Sequence, residues 1–153
     1  MSMIDTKWEI WDNQALTVTE ESRTNGGMKD LEEDGVTDES IGENLWFNVK
    51  VGTAFTTLTE GCYITVITSD SATFASGVKC LGAIGCEDYP ILVTELVAGA
   101  EFSIAFPRWK LYKYLEAVFV AISTAAGAGT LDAWFGLAPL APVKVQKFPD
   151  GYA

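Results

Sequence analysis

Apolar side chains in this chain recur at every second position far more often than at every third or fourth. In residues 45–51, Leu45, Phe47, Val49 and Val51 alternate with Trp46, Asn48 and Lys50, the pattern of a strand with one buried and one wet face. Residues 61–70 read Gly-Cys-Tyr-Ile-Thr-Val-Ile-Thr-Ser-Asp, with Cys62, Ile64, Val66 and Thr68 on one face and Tyr63, Thr65, Ile67 and Ser69 on the other. Both faces are β-branched or aromatic, which predicts a central strand shielded on both sides. Gly61 and the Thr68-Ser69-Asp70 exit supply turn-forming ends, and the exit is expected to fix a loop.

The same reading extends down the chain. Phe102, Ile104 and Phe106 alternate within 101–106, and Pro107 stops that run because it cannot donate to a ladder. Residues 114–123 are apolar on both faces apart from Glu116, so a second central strand is expected there. The Gly127-Ala128-Gly129 turn leads into 130–138, where Leu131, Ala133, Phe135 and Leu137 alternate with Asp132, Trp134 and Gly136. The two segments read as a hairpin. Short β-prone runs at 15–19, 78–84 and 91–97 bring the expected strands to eight. A sustained helical period is missing, with 110–116 offering one turn at most. Eight short strands in one all-β domain predict an eight-stranded jelly-roll sandwich, with a closed β-barrel as the alternative.

The flanks lack this alternation. Residues 1–14 hold Trp8, Ile10 and Trp11 among charges and read as an N-terminal arm. Its tryptophans either pack back on the domain or anchor the arm to a neighbouring subunit. Within the 15–138 domain, residues 20–44 are acidic and polar, with Gly26, Gly27, Gly35 and Gly42, and read as a long loop. Asp30, Glu32, Asp34 and Gly35 imitate the start of a calcium loop, but its twelfth position is Ile41 where a bidentate Glu is needed. A solvated acidic loop is the plainer reading. Residues 139–153, with Pro139, Pro142, Pro149, Lys144 and Lys147, read as an extended C-terminal arm.

Composition narrows the chemistry. The 153 residues suit one domain, and a 48% hydrophobic content is ample for a core. The best membrane candidate, 117–131, contains Gly127 and Gly129 and falls short of the roughly 20 residues a spanning helix needs. The first residues carry no apolar core or cleavage pattern of a secretory signal, so synthesis in a cytosol is expected. A net charge of −11 argues against gripping nucleic acid or an anionic membrane, both of which call for Lys and Arg. Cys62, Cys80 and Cys86 are odd in number and irregularly spaced, which suits buried or inert thiols better than disulfides or zinc. Histidine is absent. That removes the usual general base, the Ser-His and Cys-His nucleophile pairs and the commonest metal ligand. Carboxylate chemistry through Asp70 or Glu116 would need a second acid at a defined separation; Asp70 reads more simply as a turn residue and Glu116 as an edge or interface charge. Gly127-Ala128-Gly129 follows an apolar strand but precedes a period-two segment, so it is not a dinucleotide turn. Neither a cofactor nor a metal is expected.

Several of these pieces together resemble the tailed-phage capsid cement, or decoration, proteins of the small jelly-roll type. A strand ending in Thr68-Ser69-Asp70 follows an acidic Gly-containing loop and the 45–51 strand. Ile4-Asp5 precedes an aromatic residue and Gln14-Ala15-Leu16-Thr17. The Ala98-Gly99 turn leads to a strand ending in Phe106-Pro107 and then to Tyr114-Leu115. The Gly127–Gly129 turn precedes Thr130-Leu131-Asp132-Ala133. The resemblance spans residues 4–138; the acidic 29–44 loop and the Pro-containing tail depart from it. It implies a non-enzymatic protein, made in the host cytoplasm and carried on the outer face of the virion capsid. There it would bind as a homotrimer where capsomers of the major capsid protein meet, without nucleic acid or membrane. Candidate subunit or capsid contacts are Trp8, Trp11, Trp46, Trp109, Trp134 and Phe148. The alternative is a carbohydrate- or ligand-binding jelly roll on the virion surface, with Trp46, Tyr63 or Trp134 as a stacking platform.

Overall fold

Alternating apolar positions give two antiparallel sheets packed face to face in a computed structural model that describes residues 9–25, 27–30, 44–107, 111–123 and 125–136. In chain order the strands are β1 (Glu9–Ala15), β2 (Glu20–Glu21), β3 (Lys29–Asp30), β4 (Asn44–Val51), β5 (Cys62–Ser69), β6 (Lys79–Ile84), β7 (Glu101–Pro107), β8 (Tyr114–Ala121) and β9 (Thr130–Gly136). One helical turn, α1 (Ser22–Asn25), lies between β2 and β3, and a 3-10 turn spans Val93–Glu95. The first sheet runs β1-β9-β4-β7 and the second β2-β8-β5-β6, with β3 also on β8.

β2 and β3 form one interrupted edge strand. Glu20 and Glu21 pair with Phe119 and Val118, and Lys29 and Asp30 continue along the same strand against Leu115 and Tyr114. Counting them as one leaves eight strands, and their sheet orders become 1-8-3-6 and 2-7-4-5. That is the two-Greek-key connectivity of a jelly roll. The sheets remain separate and unclosed, which sets the barrel alternative aside.

The core lies between the sheets. Leu45, Phe47, Val49 and Val51 of β4, Ile104 and Phe106 of β7 and Leu131, Ala133 and Phe135 of β9 meet Cys62, Ile64 and Val66 of β5 and Leu115, Ala117 and Phe119 of β8. Phe135 joins two ring pairs, with centroids 5.1 Å from Phe47 and 6.0 Å from Phe106. Each large side chain buried this way contributes about 1.5–3 kcal/mol. Two glycines make close approaches possible. Gly61 has φ +84°, and a Cβ there would stand 2.5 Å from the Ile91 carbonyl oxygen. Gly129 has φ +148°, and a Cβ there would run into the Phe55 ring.

Five expectations need correction. The N-terminal arm is a strand from Glu9 onward, paired with β9 through two register shifts. The first makes Ile10 an extra residue, so Ile10 and Trp11 both reach the core although they are neighbours. The 15–19 run is strand only at Ala15, and the edge strand begins at Glu20. The 91–97 run is not a strand. Ile91 makes a single bridge to Cys62, and the chain then winds into the 3-10 turn, where the Glu95 carboxylate accepts the Leu92 N–H at 2.9 Å. Finally, β8 and β9 are no hairpin, because they belong to opposite sheets. Short strands and a helical turn also interrupt the 20–44 loop; the calcium-like residues Glu32, Asp34 and Gly35, and the 139–153 arm, lie outside the described residues.

Candidate interaction surface

The wet face of β4 is the outer face of the first sheet. Trp46 lies opposite Gly136 and Ala105, Asn48 opposite Trp134 and Ser103, and Lys50 opposite Asp132 and Glu101. Trp46 and Trp134 are both half-buried and sit diagonally across β4 and β9, a relation that places such residues about 7–8 Å apart. Between them Asn48 is only 1% exposed, and its Oδ1 accepts the Ser103 hydroxyl at 2.6 Å.

Other proposed contacts fall elsewhere. Trp11 is 1% exposed within the core, so it anchors β1 to its own domain and is unavailable to a neighbour. Trp8, Trp109 and Phe148 lie outside the described residues. Tyr63 belongs to the second sheet, so the sandwich separates it from Trp46 and Trp134, and the three rings do not form one platform.

The outer face of the second sheet is different in kind. Tyr63, Thr65 and Ile67 of β5, Val118 and Val120 of β8 and Ala83 of β6 are all partly exposed. Tyr63 pairs with Val120, and Thr65 with both Val118 and Ala83, so the patch is continuous across three strands. None of the six carries charge. An antiparallel sheet with one solvated face ordinarily presents polar residues there, and a contiguous exposed apolar patch marks a surface built for contact. Sequence reasoning singled out only Tyr63. The signal for the rest was the apolar second face of both central strands, which read as burial.

One end of this face holds a buried carboxylate. Glu116 is 0% exposed beneath α1. It accepts the Arg23 backbone N–H at 3.3 Å and Arg23 Nη1 at 3.4 Å. Burial pushes its carboxyl above the ordinary value, Arg23 pulls it back, and Glu21, itself paired with Arg23 at 2.5 Å, pushes it up. α1 thus seals Glu116, the one buried acid among the described residues, from any substrate. Asp70 is exposed at the β5 exit, just past two residues that pin the turn. Thr68 Oγ1 donates to the Tyr114 carbonyl at 2.8 Å and accepts the Tyr112 N–H at 2.9 Å. Ser69 Oγ donates to the Ser76 carbonyl at 2.7 Å and accepts the Ser71 N–H at 3.0 Å.

A third surface is the loop end that joins the two sheets. The connections after β1, β4, β6 and β8 meet there, tied by Ala126 N–H to the Thr17 carbonyl at 2.7 Å and Thr56 N–H to the Ala128 carbonyl at 3.1 Å. It exposes Val18, Tyr89, Leu92 and Val97. Among the described residues, no three His, Cys, Asp or Glu side chains group as a metal site, and no helix is long and apolar enough to cross a membrane. Cys62 is buried and its thiol is pushed up to about 12, first by burial and then by Glu95; Cys80 and Cys86 are exposed. The chain matches no protein-family model and no curated protein.

Proposed function

We propose that this protein is a non-enzymatic decoration protein of a tailed-phage head. In this reading it binds the outer face of the shell, with three copies where capsomers of the major capsid protein meet, and holds neighbouring capsomers together. The observation that carries the reading is the uncharged, partly exposed patch of Tyr63, Thr65, Ile67, Ala83, Val118 and Val120 on the outer face of the second sheet, on a chain otherwise rich in carboxylates. The sequence resemblance supplies the partner, and the jelly-roll connectivity is the fold that resemblance implies. A jelly roll hosts many functions, so fold alone selects none of them.

The test is reconstitution. Purified protein is mixed with heads lacking it, the heads are washed and sedimented, and bound mass is read by gel and by imaging. Saturable binding on the outer surface, with heads that better resist heat or osmotic shock, is the expected outcome. Protein that stays in the supernatant at every concentration sinks the proposal. Glycan binding without head association would favour the ligand-binding alternative.

A further inference from the structure

We propose that α1 is a lid over one corner of the second sheet's outer face, closed at acid pH and lifting as pH rises to uncover Glu116. The inference concerns the conformation of the free chain and does not rest on the decoration reading. Glu116 stands opposite Ile67, so its side chain shares the outer face with Thr65 and Val118 and points away from the core. It is nonetheless 0% exposed, because α1 covers it. Polar contacts hold the lid down. Residues 22–27 read Ser-Arg-Thr-Asn-Gly-Gly and bring no apolar side chain to the core, and segments of that kind open locally at low cost. Ser22 Oγ accepts the Ala117 N–H at 3.0 Å. Arg23 donates its backbone N–H and its Nη1 to the Glu116 carboxylate at 3.3 and 3.4 Å, and its Nη2 meets Glu21 at 2.5 Å. Its guanidinium also lies 5.4 Å from the centroid of the Phe74 ring.

Charge decides when the lid stays down. The charged groups facing Glu116 are Arg23 from α1 and Glu21 from β2; Phe74 and Ile67, its other neighbours, bring none. On β3, Asp30 stands opposite Tyr114, and Lys29 stands opposite Leu115, whose side chain turns to the core. With the lid closed, the carboxylate is stripped of water. Arg23, shared with Glu21, offsets only part of that loss, so the protonated form is favoured. With the lid open, the carboxylate meets water and returns to near its ordinary value of 4.5. The open form therefore gives up the proton more readily than the closed one. Raising pH from the ordinary value toward the closed-state value draws the lid open. Lifting it adds a negative charge beside Ile67 and Val118, on the face that carries the uncharged patch.

Amide hydrogen exchange of the full chain, followed residue by residue across this range in the native protein and in Glu116→Gln, tests the lid. The Arg23 and Ala117 N–H groups are protected by the lid's own contacts. They should exchange faster than the amides of β5 and respond little to low urea, because lifting one turn exposes little surface. The ratio of native to Glu116→Gln rates at Ala117 should rise with pH above 4.5. Its slope should reach about tenfold per pH unit, that of one proton, and level off above the closed-state value. Arg23→Met leaves the carboxylate buried without its cation. At mildly alkaline pH it should speed exchange at Ala117 by about tenfold or more, the scale of one hydrogen bond to a charged group. That variant carries the test should Glu116→Gln not fold. A ratio that stays flat with pH overturns the proposal, as does an Arg23→Met rate equal to the native one. So do Arg23 and Ala117 amides that exchange only through global unfolding, with the urea dependence of β5.

Discussion

Glu116 shows how one side chain sets a pH dependence for the whole domain. Its carboxyl is fully buried beneath α1, and burial outweighs the pull of Arg23, so its folded value lies above the ordinary 4.5. In the unfolded chain the group returns to near that ordinary value. The folded state therefore holds the proton more tightly than the unfolded state does. Stability drawn from this group is complete below the unfolded value and is lost as pH rises through the folded one. Glu116→Gln removes the ionisation yet keeps the shape and an oxygen to accept the Arg23 N–H. Its expected effect at mildly alkaline pH is a gain of about 1 kcal/mol, because a buried charge is replaced by a neutral isostere. The variant's melting temperature should also vary less between mildly acid and mildly alkaline buffer. Thermal unfolding of both proteins across that range checks the sign, and a variant less stable than the native chain at the alkaline end contradicts it.

The interrupted edge strand shows what the surrounding element asks of its residues. Between the Glu21–Val118 and Lys29–Leu115 pairs only Glu116 and Ala117 of β8 lack a strand partner on this edge, so the ladder has no strand carbonyl to offer there. Ser22 fills the gap: it is 0% exposed, and its Oγ accepts the Ala117 N–H at 3.0 Å. Ser22→Ala leaves that buried donor unpartnered, at a cost of about 1–3 kcal/mol. The expected readout is a lower urea midpoint at unchanged slope, with Ser22→Thr recovering most of the loss. Elements with an unbroken register were legible in the sequence. β4 pairs with β7, and β5 with β8, without a shift, so their period-two alternation survives along the whole length. β1 was not legible, because its bulges set Ile10 beside Trp11 on the buried side and hold Asn13 at φ 45°. The 91–97 run misled because Ile91 and Leu96, its buried residues, are spaced for a turn. On the candidate surface, the wet face bearing Trp46 was readable from polar neighbours. The second sheet's outer face was not, since β-branched residues facing solvent carry the same letters as residues facing a core.

Across the whole molecule, the order of strands separates what folds early from what folds late. Among the described strands, only β5 and β6 are both consecutive in the chain and paired in a sheet. Every other pairing joins distant segments, such as Asn44 with Pro107 and Glu9 with Trp134. Closing such loops costs entropy before contacts repay it, and all-β domains of this kind refold on the order of milliseconds to seconds. The β1–β9 pairing spans the largest separation, so it should form after the transition state. Trp11→Phe trims the anchor of β1 in the core and should act on unfolding alone, since interactions made after the barrier change the unfolding rate and leave folding nearly untouched. Val66→Ala, a buried β5 position opposite Gly82 in the local β5–β6 pairing, should instead slow folding. Stopped-flow mixing into and out of urea, followed by tryptophan fluorescence, yields both rates for each variant. A Trp11→Phe protein that refolds several-fold more slowly while unfolding at the native rate would place β1 in the nucleus and reverse this order.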